Sequence, residues 1–212
     1  MCRFIETICI EGGCVRHAPC HDRRLNDTRR AWWGETRLLH VEDYIDPASL
    51  HERTRCRLTY GREVERVEYF PYHPRKVEAL QMVEADAVDY AFKYADRASL
   101  DALFARRGGA DDVLLVRHGL LTDTTIANIA LLGEDGKWYT PRHPLLAGTH
   151  RRRLLDEGIL HASDLPADRL SRYSRMRLFN AMLHWGEVEL PVRNIFPPDV
   201  AHCNMLREDR EE

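Results

Sequence analysis

Three short segments carry side chains that could do chemistry. Lys93, in Tyr90-Ala91-Phe92-Lys93-Tyr94-Ala95, has apolar and aromatic neighbours on both sides, unlike Lys76 beside Pro74-Arg75 and Lys137 in Glu134-Asp135-Gly136-Lys137. A lysine held among aromatics loses hydration, so its neutral, nucleophilic amine becomes accessible near neutral pH. The other reading of Lys93 is a surface lysine that snorkels to water. Gly148-Thr149-His150-Arg151, preceded by Pro144-Leu145-Leu146-Ala147, reads as a helix start. Its free backbone N–H groups and the helix dipole would bind a phosphate, although the same residues also describe an ordinary N-cap. The third segment, Gly119 to Asn128, is a small-residue polar turn entering an apolar strand. It carries one acid, Asp123, which could pair with a protonated ring nitrogen, and one amide, Asn128, which could brace the loop. A hydrogen-bonded turn without a ligand is the plainer account.

A lysine, an acid about thirty residues further on and a phosphate cradle are together the parts of a pyridoxal 5'-phosphate site. In such a site the lysine holds the cofactor, and the acid keeps its ring protonated so that it draws electrons from the substrate Cα.

The elements that must position these segments follow from the hydrophobic pattern. Residues 3–10 and Cys14-Val15, separated by Gly12-Gly13, read as a hairpin. Cys20 to Trp33 reads as a helix stopped by Gly34. Residues 54–60 and 63–70 alternate and read as two strands, and the prolines at 71 and 74 mark a linker. Beyond it we expect a strand over Val77–Val83, a helix over Arg97–Arg107 and a buried strand at Val113–Val116. Ile126–Leu132 and Trp138–Thr140 then follow as strands across an Asp135-Gly136 turn. A helix from Gly148 to Gly158 and another over roughly Pro166–Ala181 complete the pattern. The fold class expected is α+β in two lobes, residues 1–75 and 76–212.

Composition narrows the function. The chain of 212 residues has 31 Lys+Arg against 34 Asp+Glu, a net charge of −3, with 44% hydrophobic and 31% charged residues. That balance argues against a general polyanion binder, so no nucleic-acid partner is expected despite Arg23-Arg24, Arg29-Arg30 and Arg151-Arg152-Arg153. The longest charge-free stretch, about Thr124–Gly133, is too short for a membrane span. With Glu6 where a signal peptide needs apolar residues, a cytoplasmic location is expected. The six cysteines contain no CxxC pair and read as reduced thiols. Cys14, His17, Cys20 and His21 are close in sequence but lack a usual zinc spacing, so no metal is expected.

In order and spacing these segments resemble the class IV aminotransferase family. The resemblance rests on Phe4-Ile5-Glu6-Thr7-Ile8 with Glu11-Gly12, on His21-Asp22-Arg23-Arg24-Leu25, and on Lys93 with Arg97 four residues later. It continues through Gly119–Asn128, Trp138-Tyr139-Thr140-Pro141, Pro144–Arg151 and Asn180-Ala181-Met182. It implies a two-lobed fold-type IV architecture, like that of D-amino-acid aminotransferase, with a shortened N-terminal lobe, and a homodimer in which Trp32, Trp33 and the strands near 54–70 are candidate interface. It implies that Lys93 is the Schiff-base lysine, that Arg24 binds the cofactor phosphate and that Arg97 lies near the ring oxygen. It implies that Asp123, which stands where the family has Glu, pairs with the ring nitrogen. By the same resemblance Asn128, Gly148, Thr149 and His150 are expected to form the brace and phosphate loop, with Thr149-His150 replacing Ile-Thr, and Asn180 and Ala181 to close the site. The implied activity is 4-amino-4-deoxychorismate lyase, giving 4-aminobenzoate and pyruvate. Its alternative is a transaminase of branched-chain or D-amino acids with a 2-oxo acid acceptor, and a non-catalytic or metal-binding protein is the remote alternative.

Overall fold

A computed structural model describes residues 2–198. The first sheet is built from β1 (Phe4–Glu11), β2 (Cys14–Val15), β3 (Thr54–Tyr60) and β4 (Val64–Pro71), all antiparallel, in the order β2-β1-β3-β4. Strand alternation sends Phe4, Glu6, Ile8 and Ile10 to one face, where helix α1 (Ala18–Trp33) covers them with Ala18 and Leu25. Pro19 sits in the first turn of α1, where its missing N–H costs nothing. Gly34 ends the helix in the left-handed region at φ 68°, donating its N–H to the Arg30 carbonyl. The opposite face of β1 and β3, carrying Ile5 and Thr7 beside Arg55 and Arg57, turns toward the second half of the chain.

The second half contains two more sheets. β5 (Leu80–Glu84) and β6 (Asp112–Arg117) pair in parallel, joined through helix α2 (Ala98–Ala105), and are flanked by β7 (Leu120–Leu121) and the terminal β13 (Ile195–Phe196). The uninterrupted apolar run Val113–Val116 is fully buried, as a strand covered on both faces requires. The larger sheet has the order β10-β9-β8-β11-β12, from β8 (Asn128–Leu132), β9 (Trp138–Pro141), β10 (Leu160–Ser163), β11 (Arg175–Phe179) and β12 (Val188–Pro191). Helix α3 (Thr149–Asp156) makes the crossover between the parallel strands β9 and β10.

Two expectations need correction. Residues 166–181 do not form one helix. A 3-10 turn at Ala167–Arg172 is followed by β11, which lies between β8 and β12. Met176 and Leu178 alternate with Arg175 and Arg177, a period of two that belongs to a strand. The strand expected at 77–83 begins only at Leu80, because Val77 and Ala79 precede the start of its pairing with β6.

The arginine runs do not form one basic face. Arg29 is completely buried, donating to the carbonyls of Arg62 and Arg37 and to Asn26 Oδ1. Arg151 is also buried and donates to Pro141 O at 2.6 Å. Among the described residues no group of three or more His, Cys, Asp and Glu side chains could hold a metal ion. Cys2, Cys9, Cys14, Cys20 and Cys56 are free thiols, whereas Cys203 lies outside the described residues. No described helix is long and apolar enough to cross a membrane.

Candidate active site

The cavity-facing side of β1 and β3, the segment around Lys93, the loop before β8 and the start of α3 enclose a cavity of about 320 Å³. Lys93 is on no regular strand. Its carbonyl accepts from Ile5 N at 2.9 Å, Ala95 N donates to Arg3 O at 2.9 Å, and Tyr94 forms an isolated bridge with Phe4. These contacts dock the segment against the start of β1, and Phe4 packs on Phe92 and Tyr94 to hold it there. The Lys93 amine lines the cavity and has no hydrogen-bond or ion-pair partner among the described residues. Burial, and then the nearby Arg24 charge, push its pKa down to about 7 against the opposing pull of Glu6. Near neutral pH a large share of Lys93 is therefore the free base.

Asp123 shares the cavity with Lys93 and is fixed from behind. Its Oδ1 accepts from Asn128 Nδ2 at 2.9 Å and its Oδ2 from Leu146 N at 2.8 Å. Burial raises its pKa to about 6 while these donors act against the rise, so it is still mostly a carboxylate at pH 7. The Asn128 amide also donates to Leu146 O at 2.9 Å, tying the loop before β8 to the loop before α3. A Cβ on Gly148 would lie 2.0 Å from Asn128 Oδ1, so only glycine allows the start of α3 to approach this closely.

Glu6 and the His21/Arg24 pair, separate motifs in the sequence, form one buried cluster. The Glu6 carboxylate accepts from Arg24 Nε at 2.8 Å and is 2.6 Å from His21 Nδ1. Although burial works the other way, the Arg24 charge and the two hydrogen-bonding partners hold its pKa down at about 2. Arg24 thus reaches the cavity wall with one edge of its guanidinium occupied by Glu6. Arg97 lines the same cavity and donates to Thr125 O at 2.9 Å.

Asn180 and Ala181 line the cavity from the turn between β11 and β12. Asn180 Oδ1 accepts from Met182 N, and its amide donates to Ile126 O at 3.1 Å. Gly148 and Thr149 also line the cavity. His150 does not. Its ring is buried with Nδ1 2.7 Å from Asn180 O, and burial lowers its pKa to about 4. The His150 side chain therefore ties α3 to the Asn180 turn.

Residues matching the family model for amino-transferase class IV run from 67 to 190, more than half of the chain. The chain belongs to the class IV aminotransferase family. An uncharacterized protein of Haemophilus influenzae is 32% identical over 183 residues, covering 84% of this chain and 97% of that protein. A crystal structure from Haemophilus somnus, provisionally named a 4-amino-4-deoxychorismate lyase, superposes with a TM-score of 0.79 at 27% identity, covering 86% of this chain and 97% of that one. A hypothetical aminotransferase of Mycobacterium tuberculosis in its PLP-bound form shares the fold, with a TM-score of 0.71 at 18% identity over 97% of this chain and 86% of that one.

In this class IV family member the cavity also contains residues that sequence reasoning did not single out. Arg55, Arg57 and Tyr72 line it from β3 and the segment after β4, and Thr7 lines it from β1. The Arg-x-Arg spacing on a strand whose alternate residues are the apolar Cys56 and Leu58 was the available signal. It places both arginines on one face, opposite the core. Glu6 was visible only as part of a motif, because its role requires knowing that α1 packs over β1.

Proposed function

We propose that this chain is a pyridoxal-phosphate-dependent lyase of the class IV family that releases 4-aminobenzoate and pyruvate from 4-amino-4-deoxychorismate. The supporting observation is the unpaired amine of Lys93, with its pKa near 7, in one cation-lined cavity with the braced carboxylate of Asp123. The residues suit the cofactor. Arg24 and the free N–H groups at the start of α3, where Gly148 permits close approach, would hold its phosphate. Lys93 would hold its carbonyl carbon, and Asp123 would hold a proton on the ring nitrogen. When bound, pyridoxal phosphate supplies an electron-withdrawing ring that stabilises negative charge on the neighbouring substrate carbon.

The chain's own part is proton management and exclusion of water. Lys93, in large part the free base at neutral pH, takes the proton from the substrate carbon bearing the amino group and delivers it during release of the products. Asp123 stays ionised because Asn128 and Leu146 donate to it. Asn180, tied to Ile126, closes the cavity from the β11–β12 turn. The lyase name of the Haemophilus somnus protein agrees with this reading. The aminotransferase name of the Mycobacterium tuberculosis protein keeps transamination of an amino acid with a 2-oxo acid as the second reading. We further propose a cytoplasmic homodimer of two-lobed subunits, divided near residue 75, with the exposed Trp32 in the subunit contact.

The test is incubation of the holoprotein with 4-amino-4-deoxychorismate, following 4-aminobenzoate fluorescence and pyruvate together. Stoichiometric release of both supports the lyase. No release, combined with amino transfer from an amino acid to a 2-oxo acid, would replace it by the transaminase.

A further inference from the structure

The cavity wall built by β1 is held at its two ends by different forces. At its start the bonds are backbone ones. Ile5 N donates to Lys93 O and Ala95 N to Arg3 O, both at 2.9 Å, and Phe4 packs on Phe92 and Tyr94. The strand ends at Glu11, roughly 24 Å away at about 3.4 Å per residue. There the first sheet meets the turn between β11 and β12 through charged side chains. Arg53, the residue before β3, donates through Nη1 to Glu187 Oε1 at 2.6 Å and Oε2 at 2.9 Å, and through Nε to Glu11 Oε1 at 3.4 Å. His184 Nε2 is 3.3 Å from Glu11 Oε2. Among the described residues no backbone hydrogen bond joins the first sheet to this turn. All four side chains are partly exposed, so water and salt compete for each of them.

The turn itself belongs to the second half of the chain. Asn180 Oδ1 accepts from Met182 N at 2.8 Å and from Leu183 N at 3.2 Å, and Trp185 packs edge-on against Phe179 and Trp138. Across the same edge His17, at the start of α1, meets His150 of α3 ring to ring at 6.3 Å. Backbone bonds shielded by aromatic rings therefore fix one end of the β1 wall, while charges open to solvent fix the other.

We infer that the cavity opens and closes at this second edge. The first sheet swings about its contact with Phe92–Tyr94, and Arg53, Glu11, Glu187 and His184 form the ionic clasp that holds the cavity shut. The motion admits small molecules whatever the cavity binds, so the inference does not rest on the proposed function.

Two buried cysteines on opposite faces of the first sheet report the motion. Cys9 follows Ile5 and Thr7 on the cavity-facing side of β1. Burial pushes its thiol up to about 11, and Glu11, Arg53 and Glu187 are among the charges around it. Cys56 packs under α1 in the first sheet's own core, where burial pushes its thiol up to about 12. Opening the clasp uncovers Cys9 and leaves Cys56 covered, whereas unfolding uncovers both.

The experiment is alkylation of the full-length protein by iodoacetamide at a pH of about 8.5, where an uncovered thiol is reactive, followed by peptide mass mapping. The reagent is uncharged, so salt does not steer its approach. In the wild type Cys9 should react more slowly than the exposed Cys2 and Cys14 but faster than Cys56. Its rate should also depend less on dilute urea than that of Cys56, because opening exposes less surface than unfolding. Arg53→Ala and Glu187→Gln should each speed Cys9 about three- to tenfold, the span from an exposed ion pair to a charge-assisted hydrogen bond. The two substitutions change the charge beside the thiol in opposite senses, so acceleration by both reports opening rather than altered ionisation. Salt at about 1 M should speed Cys9 in the wild type and add little in either variant. Arg66→Ala, which removes an exposed β4 arginine paired with Glu68, should leave Cys9 unchanged. If Arg53→Ala does not fold, Glu187→Gln and the salt series carry the same test. Cys9 and Cys56 reacting at one rate with one urea dependence would overturn the inference, because only unfolding would then uncover Cys9. A Cys9 rate indifferent to both substitutions and to salt would overturn it as well.

Discussion

Substituting Gly148 by alanine tests the junction on which the cavity depends. Gly148 has φ −65° and ψ 147°, values any residue adopts, so the substitution carries no backbone strain of its own. The cost comes from the Asn128 Oδ1 atom, which would lie 2.0 Å from the new Cβ. Asn128 must rotate away, giving up its hydrogen bonds to the Asp123 carboxylate and to Leu146 O, both 2.9 Å long. A bond to a charged group is worth about 1.5–3 kcal/mol and a neutral one about 0.5–1.5, so the expected loss is roughly 2–4 kcal/mol. For a chain of this size, that lowers the melting temperature by about 5–15 °C. The decisive assay is a double-mutant cycle followed by thermal and urea denaturation. In an Asn128→Ala background the obstructing oxygen is gone, and Gly148→Ala should then cost less than about 0.5 kcal/mol, giving a coupling of roughly 2–3 kcal/mol. Equal cost of Gly148→Ala in both backgrounds would refute the argument.

Glu6, whose pKa falls from 4.5 to about 2, contributes roughly 3 kcal/mol that is present above pH 4.5 and lost as pH falls toward 2. Urea melts of the wild type and Glu6→Gln should therefore differ most at neutral pH and converge across that window. Because the Lys93 pKa is lowered to about 7, the rate at which the apoprotein takes up pyridoxal phosphate should rise with pH around 7, as stopped-flow absorbance would show. A rise only above pH 9 would mean that the amine is not desolvated. Arg53→Ala removes the contacts to Glu187 and Glu11 that link the Met182–Glu187 turn to the first sheet. It should lower the melting temperature by about 3–5 °C, and added salt should shrink the difference.

Local chemistry was legible in the sequence wherever it stayed local. The end of α1 at Gly34, the start of α3 at Gly148 and the buried strand at Val113–Val116 follow from turn residues and apolar runs alone. What escaped depends on packing between distant segments. Whether residues 175–179 coil or extend is decided by the open edges of β8 and β12 on either side of them. His150 occupies a helix start, which predicted a ligand, but its ring meets Asn180 O once β11 has brought that turn alongside α3. The partnership of Glu6 with Arg24 spans eighteen residues and one helix–sheet interface, so neither motif alone discloses it.

In the proposed function everything turns on Lys93 holding a pyridoxal phosphate cofactor. Borohydride treatment of the purified protein incubated with pyridoxal 5'-phosphate, followed by peptide mass mapping, tests it directly. A visible absorption band that borohydride bleaches is expected, with the cofactor's mass fixed on the peptide containing Lys93 and absent from Lys93→Ala. A wild type that takes up no cofactor, or labelling confined to Lys76 or Lys137, would contradict it.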